Sequence, residues 1–287
     1  MKARINKVKG SIKDFFKNFY RVIRRNDMVI LPGNLAFYFV LAIIPTLTIL
    51  SYGASILNLS TDVIYDFIAH SFSRDIADII LGVNLHNVVG FDFIITLVVG
   101  IYISTNGADA MILASNKIYN IKDKSWIKRR FKALGMTFLL TILLLFMLIV
   151  PVFGNIITGL VQEVNINPII TNRIVMIFDL IQGPITWIIM FIIIKMLYTI
   201  APDQKKGSGN VSYGALFTTI MFVVGTKAYS MYVTKYATYA TLYGGLANII
   251  VLMIWIYFLS LIFTIGMALN YEKDTSNMLK NGKYVNK

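Results

Sequence analysis

Six polar side chains interrupt otherwise apolar runs: Asn106, Asp109, Asp179, Gln182, Lys227 and Asn248. An Asp or Lys at the centre of a bilayer costs roughly 2.5 to 3.5 kcal/mol on insertion scales, so each needs a partner, water or a ligand. Their chemistry is that of binding and charge pairing. An Asp179–Lys227 pair is the sharpest candidate, and a neutralised structural pair accounts for the same two residues equally well. Asp109 sits near the end of its apolar run, where water or a loop lysine can meet its carboxylate. Lys195 is likewise near an end and can snorkel to the interface.

Bond-breaking chemistry finds no comparable constellation. The chain has no cysteine, which excludes thiol catalysis and thiolate-bound metals. His70 and His86 are sixteen positions apart, unlike any zinc signature. Neither a phosphate-cradling glycine loop nor a G-x-S-x-G elbow occurs. No enzymatic activity, metal or cofactor is expected. The basic loop Lys122–Lys132 with Trp126 is the one candidate for nucleic acid, and juxtamembrane lipid binding explains it as well. Nucleic acid is therefore not expected as a partner.

The elements that must carry the six residues are membrane helices. Of the 287 residues 57% are hydrophobic and 14% charged, against about 25% charged in soluble domains. A span needs about 20 mostly apolar residues. Six stretches qualify: Leu35–Leu57, Phe91–Leu113, Ala133–Ile157, Ile174–Ile200, Val211–Val233 and Gly244–Leu269. The expected fold is an all-α, polytopic membrane bundle of six transmembrane helices. No cleavable signal pattern opens the chain, so the first span is expected to remain as an anchor.

Lys and Arg flank these spans unevenly. Twenty-two fall before the first span, in the second-to-third and fourth-to-fifth loops and in the tail, against three (Arg74, Arg173, Lys235) in the alternate loops. Positive residues stay inside, so both termini are expected in the cytoplasm. Asp179, Gln182, Lys227 and Asn248 then all fall in the outer half, where they could converge on one polar cavity. The expected organisation is a basic amphipathic segment (1–30), a transmembrane domain (31–271) and a basic cytoplasmic tail (272–287).

Flanking features complete the reading. Val8, Ile12, Phe15, Phe16, Phe19, Val22 and Ile23 recur at helical spacing among basic residues, which predicts an interfacial helix facing anionic lipid. The inner loops are expected to meet the same lipid. The first outer loop predicts two short helices, around Val63–Ile68 and Ile76–Val83. Gly100, Ser104 and Ala108, and again Ser260, Thr264 and Ala268, repeat every fourth residue and predict close helix contacts. Pro45 removes a backbone hydrogen bond inside the first span, consistent with a kink at a cavity or with plain packing. Tyr229, Tyr232, Tyr236, Tyr239 and Tyr243 form a stripe, read as an interfacial aromatic belt.

Several of these residues carry a resemblance. Asn34-Leu35-Ala36-Phe37-Tyr38-Phe39 leading to Pro45, Ser104 to Ala108, Asn116-Lys117-Ile118-Tyr119, Tyr198, Pro202, Tyr213-Gly214-Ala215, Tyr243 to Leu246, Trp255-Ile256-Tyr257 and Gly266 to Asn270 resemble the YihY/BrkB family of bacterial inner-membrane proteins, once labelled ribonuclease BN. The likeness runs from about residue 30 to about residue 272. It implies six transmembrane helices in a bacterial plasma membrane, and it brings no settled activity. Ala268 departs from the family's Gly-Ala-Glu-Leu-Asn pattern by replacing the glutamate, with Glu272 one turn further on. The expected function is a transporter or translocator of a lipid, amphiphile or ion; the alternative is a non-transporting scaffold or envelope-integrity factor. Oligomeric state is left open.

Overall fold

Lipid offers no hydrogen bonds to a peptide group, so a long apolar run closes its own backbone bonds by becoming a helix. The computed structural model describes residues 17, 19–56, 65, 91–143, 168–204, 211–236 and 246–280. All regular structure among them is helical: α1 (Asp27–Ile56), α2 (Phe91–Tyr119), α3 (residues 126–143), α4 (Pro168–Ile200), α5 (Ser212–Tyr236) and α6 (Leu246–Lys280). A helical turn at 19–23 precedes α1. The rest of the amphipathic segment, most of the first outer loop with both histidines, the far part of the third expected span, and Tyr239 and Tyr243 lie outside the described residues.

The protein is a helical membrane bundle. Among the described residues, three stretches are long and apolar enough to cross a bilayer: Val98–Tyr119, Gly183–Ile200 and Ile250–Thr275. Large apolar side chains such as Val29, Phe138, Ile188, Ile220 and Ile254 are exposed around the bundle. Water would penalise a surface of this kind, whereas lipid solvates it.

α1 packs between α2 and α6, α6 also lies on α5, and α5 on α4. The small-residue registers lie at these contacts: Ser104, Ala108, Ser260, Thr264 and Ala268 are all buried. α5 and α6 cross most closely at Gly214 and Gly266. A Cβ on Gly214 would collide with the Gly266 carbonyl, and one on Gly266 with the Thr218 and Tyr198 hydroxyls. Tyr198 fills the adjoining space, its hydroxyl 2.7 Å from both Thr218 Oγ1 and the Phe263 carbonyl oxygen. Asn270 Oδ1 accepts the Gly214 backbone N–H at 2.6 Å. Tyr198, Gly214, Gly266 and Asn270, scattered in the sequence pattern, thus form one buried knot.

The helices outrun the apolar stretches. α6 has 35 residues, about 52 Å at the usual rise of 1.5 Å per residue, against a hydrocarbon core about 30 Å thick. α2 ends at Asn120, which adopts a left-handed φ of 53°, and the Ile121 N–H closes on the Asn116 carbonyl at 2.8 Å. Asparagine tolerates that conformation better than most residues and terminates helices through it.

Candidate functional site

Two features stand out: a half-open chamber between the helices and a polar staple at the basic end of the bundle. The chamber has a volume of about 400 Å³ and is bounded by α1, α2, α3, α4, α5 and α6. Its lining is almost wholly apolar, including Phe39, Met111, Leu140, Phe222, Leu252 and Phe263. Binding pockets for small molecules span roughly 300 to 1,000 Å³, with few polar groups. Ala42, Ile43 and Thr46 bring the Pro45 region of α1 against the chamber, and the Thr46 hydroxyl donates to the Ala42 carbonyl at 2.6 Å. α1 runs as one helix through Pro45.

The staple joins the loop after α2 to the turn after α4. Asp203 is at its centre, its side chain 1% exposed. Its carboxylate accepts from Lys132 Nζ at 2.8 Å, Asn116 Nδ2 at 2.7 Å and the Lys124 backbone N–H at 3.1 Å. The same Lys132 ammonium donates to the carbonyls of Ala201 and Pro202 at 2.6 and 2.9 Å. Asn116 also donates to Asp123 at 2.7 Å and accepts the Asp203 N–H at 2.9 Å. Burial by itself would raise the Asp203 carboxyl. The hydrogen bonds from Lys132, Lys124 and Asn116 overcome it and hold the group below the ordinary carboxylate value. Burial lowers Lys132, and Asp203 offsets part of that.

Of the six candidate residues, Asn106, Asp109 and Lys227 have described side chains. Asp109 is salt-bridged to Arg129 at 2.7 Å, and Asn106 Oδ1 accepts two bonds from Arg130 at 3.0 Å. The Arg130 guanidinium also lies 3.9 Å from the centroid of the Tyr102 ring. Both α2 residues are thus held by the first turns of α3. Lys227 on α5 is exposed. The side chains of Asp179, Gln182 and Asn248 lie outside the described residues, and with them the Asp179–Lys227 pair. Of Asn106, Asp109 and Lys227, none lines the chamber. Tyr229, from the tyrosine stripe, packs on Trp255 with ring centroids 5.3 Å apart.

The end of the basic N-terminal segment is docked into the protein. Val22 is fully buried, Phe19 packs on Phe217 with centroids 6.0 Å apart, and Arg21 bridges to Glu272 at 2.8 Å. Ala268 is fully buried, so the position that departs from the family pattern is a tight helix contact here. The nearby acid, Glu272, is committed to Arg21.

Sequence reasoning left Lys132, Asp203 and Trp255 out of the site. Asn116, Tyr198 and Pro202, like Trp255 quoted for their motif alone, were the available signal, because each contacts the staple or the knot.

Helices clad in apolar side chains around a half-open apolar pocket define a polytopic helical membrane protein. Residues 19–283 match the family model described as virulence factor BrkB, and the chain belongs to that family. It is 27% identical to a protein of Bacillus subtilis (strain 168) named only as ribonuclease-like, YfkH, over 83% of this chain and 87% of that one. It is 24% identical to the UPF0761 membrane protein MS0032 of Mannheimia succiniciproducens, over 96% of this chain and 94% of that one. A shorter match, 30% identical over 33% of this chain and 34% of the relative, is to the UPF0761 membrane protein IL2447 of Idiomarina loihiensis. No solved structure matches the chain.

Proposed function

We propose that this protein translocates an amphiphile across a bacterial plasma membrane, the chamber taking the guest's apolar chain. The carrying observation is the chamber itself, about 400 Å³ lined by apolar side chains from six helices. A bundle with only a structural task gains dispersion contacts by filling such a space. The bundle crosses six times with both termini cytoplasmic, a reading supported by the distribution of Lys and Arg, twenty-two on one side and three on the other. Asp179, Gln182, Lys227 and Asn248 serve the polar end of the guest in the outer half. The basic N-terminal segment and inner loops meet anionic lipid. The chain carries no ATP-binding motif, so a gradient or a partner drives net movement.

Reconstituted protein should move a fluorescent lipid between leaflets of liposomes faster than empty liposomes do, and filling the chamber with Leu140→Trp should stop it. Flux equal to the empty-liposome background overturns the proposal.

A second reading, a non-transporting scaffold, is favoured by the docking of the basic segment through Val22 and Arg21. It expects deletion of residues 1–30 to abolish the cellular phenotype while alanine at Asp179 and Lys227 leaves it intact. The reverse pattern rejects it.

A further inference from the structure

The staple lies directly beyond the chamber on the basic side, on three helices at once. Met111 on α2, Thr137 on α3 and Leu197 on α4 line the chamber. Asn116, Lys132 and Ala201, all members of the staple, are five, five and four residues away from them toward the basic end. At 1.5 Å per residue the two layers are about 6 to 8 Å apart along the helices. The residues between them are packed shut: Ile112, Ser115, Ala133, Met136 and Tyr198 are each at most 1% exposed. The half-open chamber is therefore closed toward the basic end, and its mouth is elsewhere.

Two kinds of contact hold that end together. The α5–α6 crossing leaves no room for a Cβ at Gly214 or Gly266, and the Gly214 N–H is held by Asn270, which is fully buried. Parting those helices would strand polar groups away from water, which is costly. The staple is built for release instead. α2, α3 and α4 are tied through the single Asp203 carboxylate, which accepts from Asn116, Lys132 and the Lys124 N–H. Lys132 keeps 17% of its side chain exposed, so water takes up part of the cost when the pair separates. No helix needs to unwind for this. Residues 121–125, which join α2 to α3, have no regular structure, and they follow Asn120 with its left-handed φ of 53°. α3 can swing about this link while α2 stays packed on α1.

We infer that the staple is the inner gate of the chamber, with the Lys132–Asp203 pair as its latch. Closed, as here, it leaves the chamber reachable only from its other side. Opening the pair frees α3 from α4 and admits the basic face to the same chamber. This rests on the translocator reading above and adds the device that controls access to that site.

The test uses the cysteine-free background and an impermeant, charged thiosulfonate applied from the face at which Ser125→Cys reacts. Thr137→Cys, on the chamber wall, should react much more slowly from that face than Ser125→Cys does. Adding Lys132→Met should speed it about tenfold, the factor that corresponds to about 1.4 kcal/mol of closed-state stabilisation. Asp203→Asn, the milder change, should speed it in the same direction. Asp109→Asn is the matched control, because it breaks an ion pair at the same end that joins α2 only to α3; it should leave the rate unchanged. Melts show which variants are folded. In a second arm, Asn116→Cys and Asp203→Cys, whose native side chains touch at 2.7 Å, are joined by a short bifunctional thiosulfonate. Lipid movement in liposomes should stop, and a reductant should restore it.

Thr137→Cys reacting from that face as fast as Ser125→Cys overturns the inference, because the chamber is then not closed there. So does a rate unchanged by both Lys132→Met and Asp203→Asn, or one raised equally by Asp109→Asn. Lipid movement that persists through the bridge overturns the gate and leaves the translocator reading standing. Wild-type movement at the empty-liposome level overturns the translocator reading and the gating role with it, while the labelling rates still decide whether the staple closes the chamber.

Discussion

Lys132→Met removes an ammonium that makes three close contacts, to Ala201 O, Pro202 O and Asp203 Oδ1 at 2.6, 2.9 and 2.8 Å, and retains an apolar stem of similar length. Asp203, 1% exposed, is then left as a buried carboxylate with only Asn116 and the Lys124 N–H to solvate it. Breaking a buried ion pair from one side costs about 3 to 5 kcal/mol. Lys132 is 17% exposed, so water recovers part of this, and a loss of about 2 to 4 kcal/mol is expected. Asp203→Asn should cost about 1.5 to 3 kcal/mol, the range for a hydrogen bond to a charged group. The double variant should lose less than the sum, because the second substitution removes the charge that the first stranded.

Equilibrium unfolding in mixed micelles at neutral pH measures all three. A Lys132→Met change within about 0.5 kcal/mol of zero, the range of an ordinary surface substitution, would refute the reasoning, as would strict additivity. The pH dependence carries the same information. Asp203 is held below its ordinary value of 3.8. Its stabilisation is therefore present above that value and lost as pH falls through the lower, folded value. Lys132 is lowered from 10.5 by burial, so the folded state sheds its proton more readily, and stability rises with pH in the window just below 10.5. Asp203→Asn should flatten the acid limb.

The helix crossing and the topology give further expectations. Gly214→Ala should destabilise by at least about 1 to 3 kcal/mol through overpacking against Gly266, whereas Gly183→Ala, with nothing within 4 Å of the added carbon, should be neutral or slightly stabilising; thermal melts of the two in one detergent check the contrast. Tyr198→Phe should cost about 1 to 3 kcal/mol, because Phe263 O and Thr218 lose a buried partner, and equal stability to wild type in the same melts would contradict that. Because the chain has no cysteine, single cysteines at Ser125 and Thr171 should react with impermeant thiol reagents from opposite sides of the membrane. Labelling of both from the same side would reject the topology.

Much of the helical architecture was legible because lipid imposes it. An apolar run such as Ile174–Ile200 can only be a helix there, and α4 covers it. Helix ends were less legible. Hydropathy falls at Asn116 and at Asn270, yet α2 continues to Tyr119 and α6 to Lys280, because backbone bonding and tertiary contacts outlast the apolar solvent. The small-residue spacing in α2 and α6 marked real contacts.

The partners of Asp109 and Asn106 were hidden for a different reason. Arg129 and Arg130 reach back across 20 and 24 positions, and spacing along a chain does not encode the reach of a long side chain. The staple was hidden similarly, since Lys132 and Asp203 are 71 positions apart and each reads alone as a loop charge. The chamber was least legible of all. Its wall is made of ordinary span residues, and only their arrangement leaves the space.

The most direct test of the central claim is lipid movement in liposomes reconstituted with wild-type protein or with Leu140→Trp, each shown to be folded by its melt. Movement by the wild type that the tryptophan abolishes is the expected result. Wild-type movement at the empty-liposome level, or undiminished movement with the chamber filled, would contradict it.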